Sequence, residues 1–71
     1  MITIQVFSAS SSSTVKGAKV NVWIPNAGPY TEYTDSSGEA HFSKIDAGDY
    51  EYSVDSKQFK GRLEGRKIVY I

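Results

Sequence analysis

The sequence predicts an all-β fold, a small β-sandwich of seven short strands, and three observations carry that expectation. Apolar residues recur at every second position rather than every 3.6, which places them on one face of a strand and not along one stripe of a helix. The stretches with this period are rich in Val, Ile, Tyr and Thr, residues that pack well on a pleated surface. Turn-forming residues interrupt them at roughly ten-residue spacing, the rhythm of two packed antiparallel sheets.

The first strand is marked by Ile2, Ile4 and Val6 alternating with Thr3 and Gln5. Residues 8–14, mostly serine, follow as a polar loop that joins strands and is too short for a domain linker. Ala18, Val20, Val22 and Ile24 form the second alternating set, with Lys19, Asn21 and Trp23 on the opposite face. Pro25-Asn26-Ala27-Gly28-Pro29 ends it, because two prolines and a glycine do not remain in a central ladder. A third strand is expected over residues 30–34. Asp35-Ser36-Ser37-Gly38 closes it as a type I turn with glycine at positive φ, making a hairpin with the next strand.

In that fourth strand Ala40 and Phe42 point one way and His41 and Ser43 the other, with Ile45 as its cap. Asp46-Ala47-Gly48-Asp49 turns the chain, and Tyr50, Tyr52 and Val54 then alternate with Glu51, Ser53 and Asp55. The last two strands, over residues 58–63 and 66–71, are separated by Glu64-Gly65 as a two-residue turn.

At 71 residues and 7.8 kDa the chain makes a single domain, residues 1–71, and a multi-domain enzyme is excluded. Eight basic residues offset eight acidic ones, so no net charge draws nucleic acid or anionic lipid. Cysteine is absent and His41 is the sole histidine, which excludes disulfides and a Cys/His zinc site. The N-terminal residues show neither the cationic nor the apolar region of a signal peptide, and no apolar run approaches the ~20 residues of a membrane span. The chain as it stands reads as cytoplasmic, or as a domain excised from an extracellular parent.

Three motifs in order carry a family resemblance: Gly17-Ala18-Lys19-Val20-Asn21-Val22, then Thr34-Asp35-Ser36-Ser37-Gly38-Glu39-Ala40-His41-Phe42, then Ile45-Asp46-Ala47-Gly48-Asp49-Tyr50. Over about residues 2–55 the chain resembles the carboxypeptidase regulatory-like, or prealbumin-like, domain group, which includes transthyretin-like and Cna-B-type domains. The resemblance implies a seven-stranded antiparallel Greek-key β-sandwich acting as an accessory domain, adhesive stalk unit or carbohydrate-associated module. Its motif residues have fold-specifying roles: Gly17 for a tight entry into a strand, Gly38 for a left-handed position, Phe42 for the core, and Gly48 to turn the chain so that Tyr50 faces the interior.

Sharper activities find little support in the residues. Transthyretin-like hydroxyisourate hydrolases need several histidines and a terminal Tyr-Arg-Gly-Ser, whereas this chain ends Ile68-Val69-Tyr70-Ile71. The Lys–Asn isopeptide of similar pilin and adhesin modules needs a first-strand lysine, where Gln5 stands here, and an asparagine in the last strand, which has none. A Ser-His-acid relay would need His41, expected on a solvated face beside Ser43. The acidic pairs Asp46 with Asp49 and Glu32 with Glu39 read as turn or solvated groups, and residues 35–39 lack the repeated carboxylates of a calcium loop. No catalytic residue, metal or cofactor is therefore expected.

Aromatic residues are the exception to this plain surface. With Val20, Val22 and Ile24 inward, Trp23 faces out, and alternation turns either Tyr30 or Tyr33 outward beside it as a candidate stacking platform. Lys57, Lys60, Arg62, Arg66 and Lys67 form a basic strip that nearby Glu51, Asp55 and Glu64 are placed to pair. The expected function is a non-enzymatic accessory module for protein interaction or structural spacing, monomeric or weakly self-associating through its edge strands. The expected partner is a protein or parent chain. The alternative is a carbohydrate-binding module built on Trp23 with Tyr30 or Tyr33.

Overall fold

A computed structural model of residues 1–71 shows seven strands and no helix. They are β1 (Ile2–Phe7), β2 (Lys19–Ile24), β3 (Gly28–Tyr33), β4 (Glu39–Phe42), β5 (Gly48–Val54), β6 (Lys57–Leu63) and β7 (Arg66–Tyr70). Three of them form a sheet in the order β4-β1-β7, and four form a second sheet in the order β3-β2-β5-β6. Their inward residues meet in one core. Ile2, Ile4, Val6 and Phe42 come from the first sheet, and Val20, Val22, Val54 and Leu63 from the second. The alternation in the sequence thus fixes which face of β1, β2 and β4 is buried.

Sheet membership departs from expectation in two places. The Asp35–Gly38 turn forms as expected, with Gly38 N–H donating to Asp35 O at 2.9 Å and Gly38 at φ +76°. The strands on either side of it lie in different sheets, so it is a crossing and not a hairpin. Glu64-Gly65 likewise carries the chain from β6 in one sheet to β7 in the other, where Thr3 N–H donates to Gly65 O at 2.8 Å. That crossing brings β7 alongside β1 in the same direction, Thr3 opposite Arg66 and Phe7 opposite Tyr70. The β1–β7 pair is therefore parallel, the three-stranded sheet is mixed, and the wholly antiparallel arrangement expected from the sequence is not found.

The tight hairpins lie elsewhere. Between β5 and β6 only Asp55 and Ser56 stand outside the ladder, with Asp55 at φ +53°. That left-handed residue is held from both sides: its N–H donates to Lys19 O at 2.8 Å, and its Oδ1 accepts from Lys19 N–H at 3.0 Å. Between β2 and β3 the turn is shorter than expected, because Pro29 lies inside β3, opposite Trp23. Since β3 is an edge strand, the proline's missing N–H costs no ladder bond.

Thr34, expected as the end of β3, is instead a buried bolt. Its hydroxyl donates to Val15 O at 2.6 Å and accepts from Ala18 N–H at 2.8 Å, while its N–H donates to Ala18 O at 3.0 Å. Gly48 differs too. Its φ is not left-handed, and a Cβ there would come within 3.2 Å of the Tyr50 hydroxyl. The glycine makes room for the Tyr50 ring, whose hydroxyl donates to Asp46 O at 2.8 Å. Tyr50 is half-buried at the margin of the core rather than within it.

Candidate functional site

Trp23, Tyr30 and Tyr33 are all exposed, but they do not form one platform. Trp23 lies opposite Pro29 and Tyr33 opposite Lys19, so both project from the outer face of the four-stranded sheet, with the Asn21–Thr31 pair between them. The Thr31 hydroxyl donates to Asn21 Oδ1 in that intervening row. Four residues of strand put the two aromatics roughly 13 Å apart along the sheet, too far for one ring to touch both. Tyr30 lies opposite Val22 and so turns to the other side of β3.

Trp23 has other neighbours. The β2–β5 ladder ends at the Trp23–Glu51 pair, one residue before β2 itself ends at Ile24, while β5 and β6 remain paired as far as Gly48–Leu63. The wedge left between them is a hollow of about 470 Å³, bounded by Trp23, Asp49, Tyr50, Glu51, Lys60 and Gly61. Gly61 is the cross-strand partner of Tyr50, and nothing stands within 4 Å of where its Cβ would be. A second hollow of about 310 Å³ shares Trp23 and Glu51 with the first and adds Gln58 and Phe59. Of these residues sequence reasoning named Trp23 alone as a candidate ligand surface; Asp49 was read as a turn or solvated group, and Glu51 and Lys60 as members of a solvated charge set. Asp49, Tyr50, Glu51 and Lys60 come to it through strand pairing, and the only signal along the chain was two acidic residues flanking a tyrosine.

On the other sheet, the outer faces of β4, β1 and β7 bring together groups far apart in sequence. His41, Thr3 and Arg66 share one row, and Glu39, Gln5 and Ile68 the next. His41 Nδ1 shares a hydrogen bond with the Thr3 hydroxyl at 3.0 Å. Its Nε2 stands 3.4 Å from Glu39 Oε1 and 3.7 Å from Asp35 Oδ2. Arg66 Nη1 donates to Glu39 Oε2 at 2.6 Å and to Gln5 Oε1 at 2.9 Å. A hydroxyl, an imidazole and carboxylates in this order have the composition of a nucleophilic relay, but Thr3 is only 8% exposed and is enclosed by its neighbours.

Asp35, Glu39 and His41 are also the residues that would hold a metal ion, their ligand atoms lying within 4.8 Å of one another. Glu39 is occupied by Arg66, and Asp35 Oδ1 accepts from the Ser37 and Glu39 N–H groups at 2.9 and 3.0 Å. Each carboxylate thus has one oxygen already engaged, Glu39 Oε2 by the guanidinium and Asp35 Oδ1 by the turn. The arrangement fits an ion-pair network that ties β1, β4 and β7 to the 35–38 turn better than it fits a metal centre.

Those N–H groups, Glu39 first and Ser37 second, hold the Asp35 carboxyl below its ordinary value of 3.8, with a smaller contribution from His41. A depressed folded value means that the contribution of Asp35 to stability is complete above the unfolded value and is lost as pH falls through the folded one. We expect the Asp35 carboxyl carbon, followed by NMR, to titrate with a midpoint below 3.8 in the folded chain. An Asp35→Asn variant should lose stability at neutral pH and show a flatter acid limb. A midpoint at or above 3.8 would contradict the turn geometry.

The same outer face ends in an apolar patch. Phe7 and Tyr70 are partners in register with ring centroids 5.7 Å apart, and Ile68 lies next along β7. Ile68 and Tyr70 are 46% and 57% exposed, on a strand whose far side has no partner. No family model, curated protein or solved structure matches the chain.

Proposed function

We propose that the chain is a non-enzymatic interaction module, a prealbumin-like Greek-key β-sandwich whose open β7 edge takes up a strand from a second copy. The observation that carries this reading is the pairing of a free strand edge with exposed Ile68 and Tyr70 on that strand. An unpaired edge offers a row of backbone donors and acceptors to an incoming strand, and apolar side chains on it add burial. Of the other three edges, β3 carries Pro29 and β4 has only four residues; β6 carries Lys57 and Lys60 as β7 carries Arg66 and Lys67, but β7 alone of these two adds large exposed apolar side chains.

The charge order along β7 favours a second copy as the occupant. Arg66 and Lys67 begin the strand, and Val69 and Tyr70 end it. Antiparallel pairing of two β7 strands centred on Ile68 sets Arg66 against Tyr70 and Lys67 against Val69, so no basic residue faces another. Parallel pairing would stack like charges directly and is disfavoured. Light scattering over a concentration series should show mass rising from monomer to dimer, with Ile68→Lys remaining monomeric. A wild-type chain that is monomeric at every concentration would sink this reading. The prealbumin-like assignment is supported by the burial of Phe42 and the positive φ of Gly38, the roles the resemblance gives these two residues.

A further inference from the structure

We infer that the paired hollows around Trp23 are a binding site for an uncharged oligosaccharide. This goes beyond strand addition at β7, because it uses the opposite sheet and either can fail without the other. A sugar ring has an apolar C–H face and a rim of hydroxyls, so its site needs an aromatic surface flanked by groups that donate and accept at the edge. The larger hollow offers the Trp23 indole, 39% exposed, and is lined also by Tyr50, Ile24 and Pro25. Asp49 and Glu51 supply acceptors, and Lys60, opposite Glu51 in the ladder, supplies a donor.

None of these three charged groups is engaged in an ion pair, since those of the chain lie at His41, Arg62 and Arg66. They are free to meet a ligand. Two carboxylates against one ammonium disfavour an anion, and the hydroxyls of a neutral polyol can donate to Asp49 and Glu51 while accepting from Lys60. The volume of about 470 Å³ lies within the roughly 300–1,000 Å³ of small-molecule sites. The adjoining hollow, which shares Trp23 and Glu51 and adds Gln58, gives a second ring a place, so a chain of sugars fits better than one.

The test is an NMR titration of the isotope-labelled chain with cellohexaose, maltohexaose, xylohexaose and chitohexaose, each to about 10 mM, tenfold above a ~1 mM dissociation constant. At least one should shift the Trp23 indole N–H and the backbone amides of residues 49–51 and 60–61, and should bind more tightly than its monosaccharide. Trp23→Ala should weaken that binding by about tenfold or more, and Asp49→Asn with Glu51→Gln should weaken it severalfold while leaving the apolar wall intact. Should Trp23→Ala fail to fold, the acidic-pair variant and the wild-type indole resonance decide the matter. Absence of shifts with all four sugars, shifts confined to other surfaces, or binding undiminished in the variants would overturn the proposal. So would binding of tetramethylammonium in place of any sugar, which would make the hollow a cation site.

Discussion

Replacing Gly38 by alanine is expected to destabilise the domain by about 2–4 kcal/mol, from two costs that add at this position. The backbone is left-handed at φ +76°, which costs an L-residue roughly 1–2 kcal/mol. The new Cβ would also stand 2.8 Å from Val6 O and 2.9 Å from Thr14 Cβ, while Gly38 O accepts from Val6 N–H and cannot retreat without losing that bond. Gly17 is the internal control. Its φ is +78°, but nothing lies within 4 Å of its Cβ position, so Gly17→Ala should cost only the conformational part. Denaturant melts of the two variants beside the parent would measure the difference, and equal losses would contradict the close approach of the 35–38 turn to β1.

Ile4→Ala should lower stability by about 2–5 kcal/mol, the range for deleting a fully buried aliphatic side chain. Ile4 is fully buried at the middle of β1, the central strand of its sheet, with Ala40 and Lys67 as its partners in register. Neither neighbour can swing in to fill the space, since alanine is too short and Lys67 is exposed. A domain of this length has a total stability of roughly 4–10 kcal/mol, so the loss is a large share of it and should lower the melting midpoint by roughly 8–40 °C. Circular dichroism on heating checks it, and a loss below about 1 kcal/mol would mean that the core does not close around β1.

Strand positions and inward faces were legible because alternation is a local property. Ile2, Ile4 and Val6, then Val20 and Val22, then Ala40 and Phe42 are buried as their spacing implies. Sheet membership was not legible, since a turn such as Asp35–Gly38 has the same residues and the same Gly38 N–H to Asp35 O bond whether its strands pair or part. The direction of β7 depends on that same crossing geometry, and Pro29 was tolerated for a reason visible only once β3 is known to be an edge.

The candidate sites were legible in the same partial way. Alternation turns Trp23 outward, yet its neighbours in the hollow, Glu51 and Lys60, reach it across β5 and β6. His41 meets Thr3 from 38 residues away, and Arg66 meets Glu39 from 27, so neither contact leaves a trace in local spacing. Tyr30 and Tyr33 show the converse. Alternation requires that they face apart, and it was the pairing of Tyr33 with Lys19 that decided which of them shares the side of Trp23.

The central claim, that the β7 edge accepts a second copy, is tested most directly by a mixed sample of isotope-labelled and unlabelled chains in which only contacts between copies are observed. Strand addition in the antiparallel register predicts contacts of Ile68 with Ile68 of the second copy and of Arg66 with Tyr70 of the second copy. Both should vanish in Ile68→Lys. Contacts between copies that avoid β7, or none at concentrations where the domain remains soluble, would contradict it.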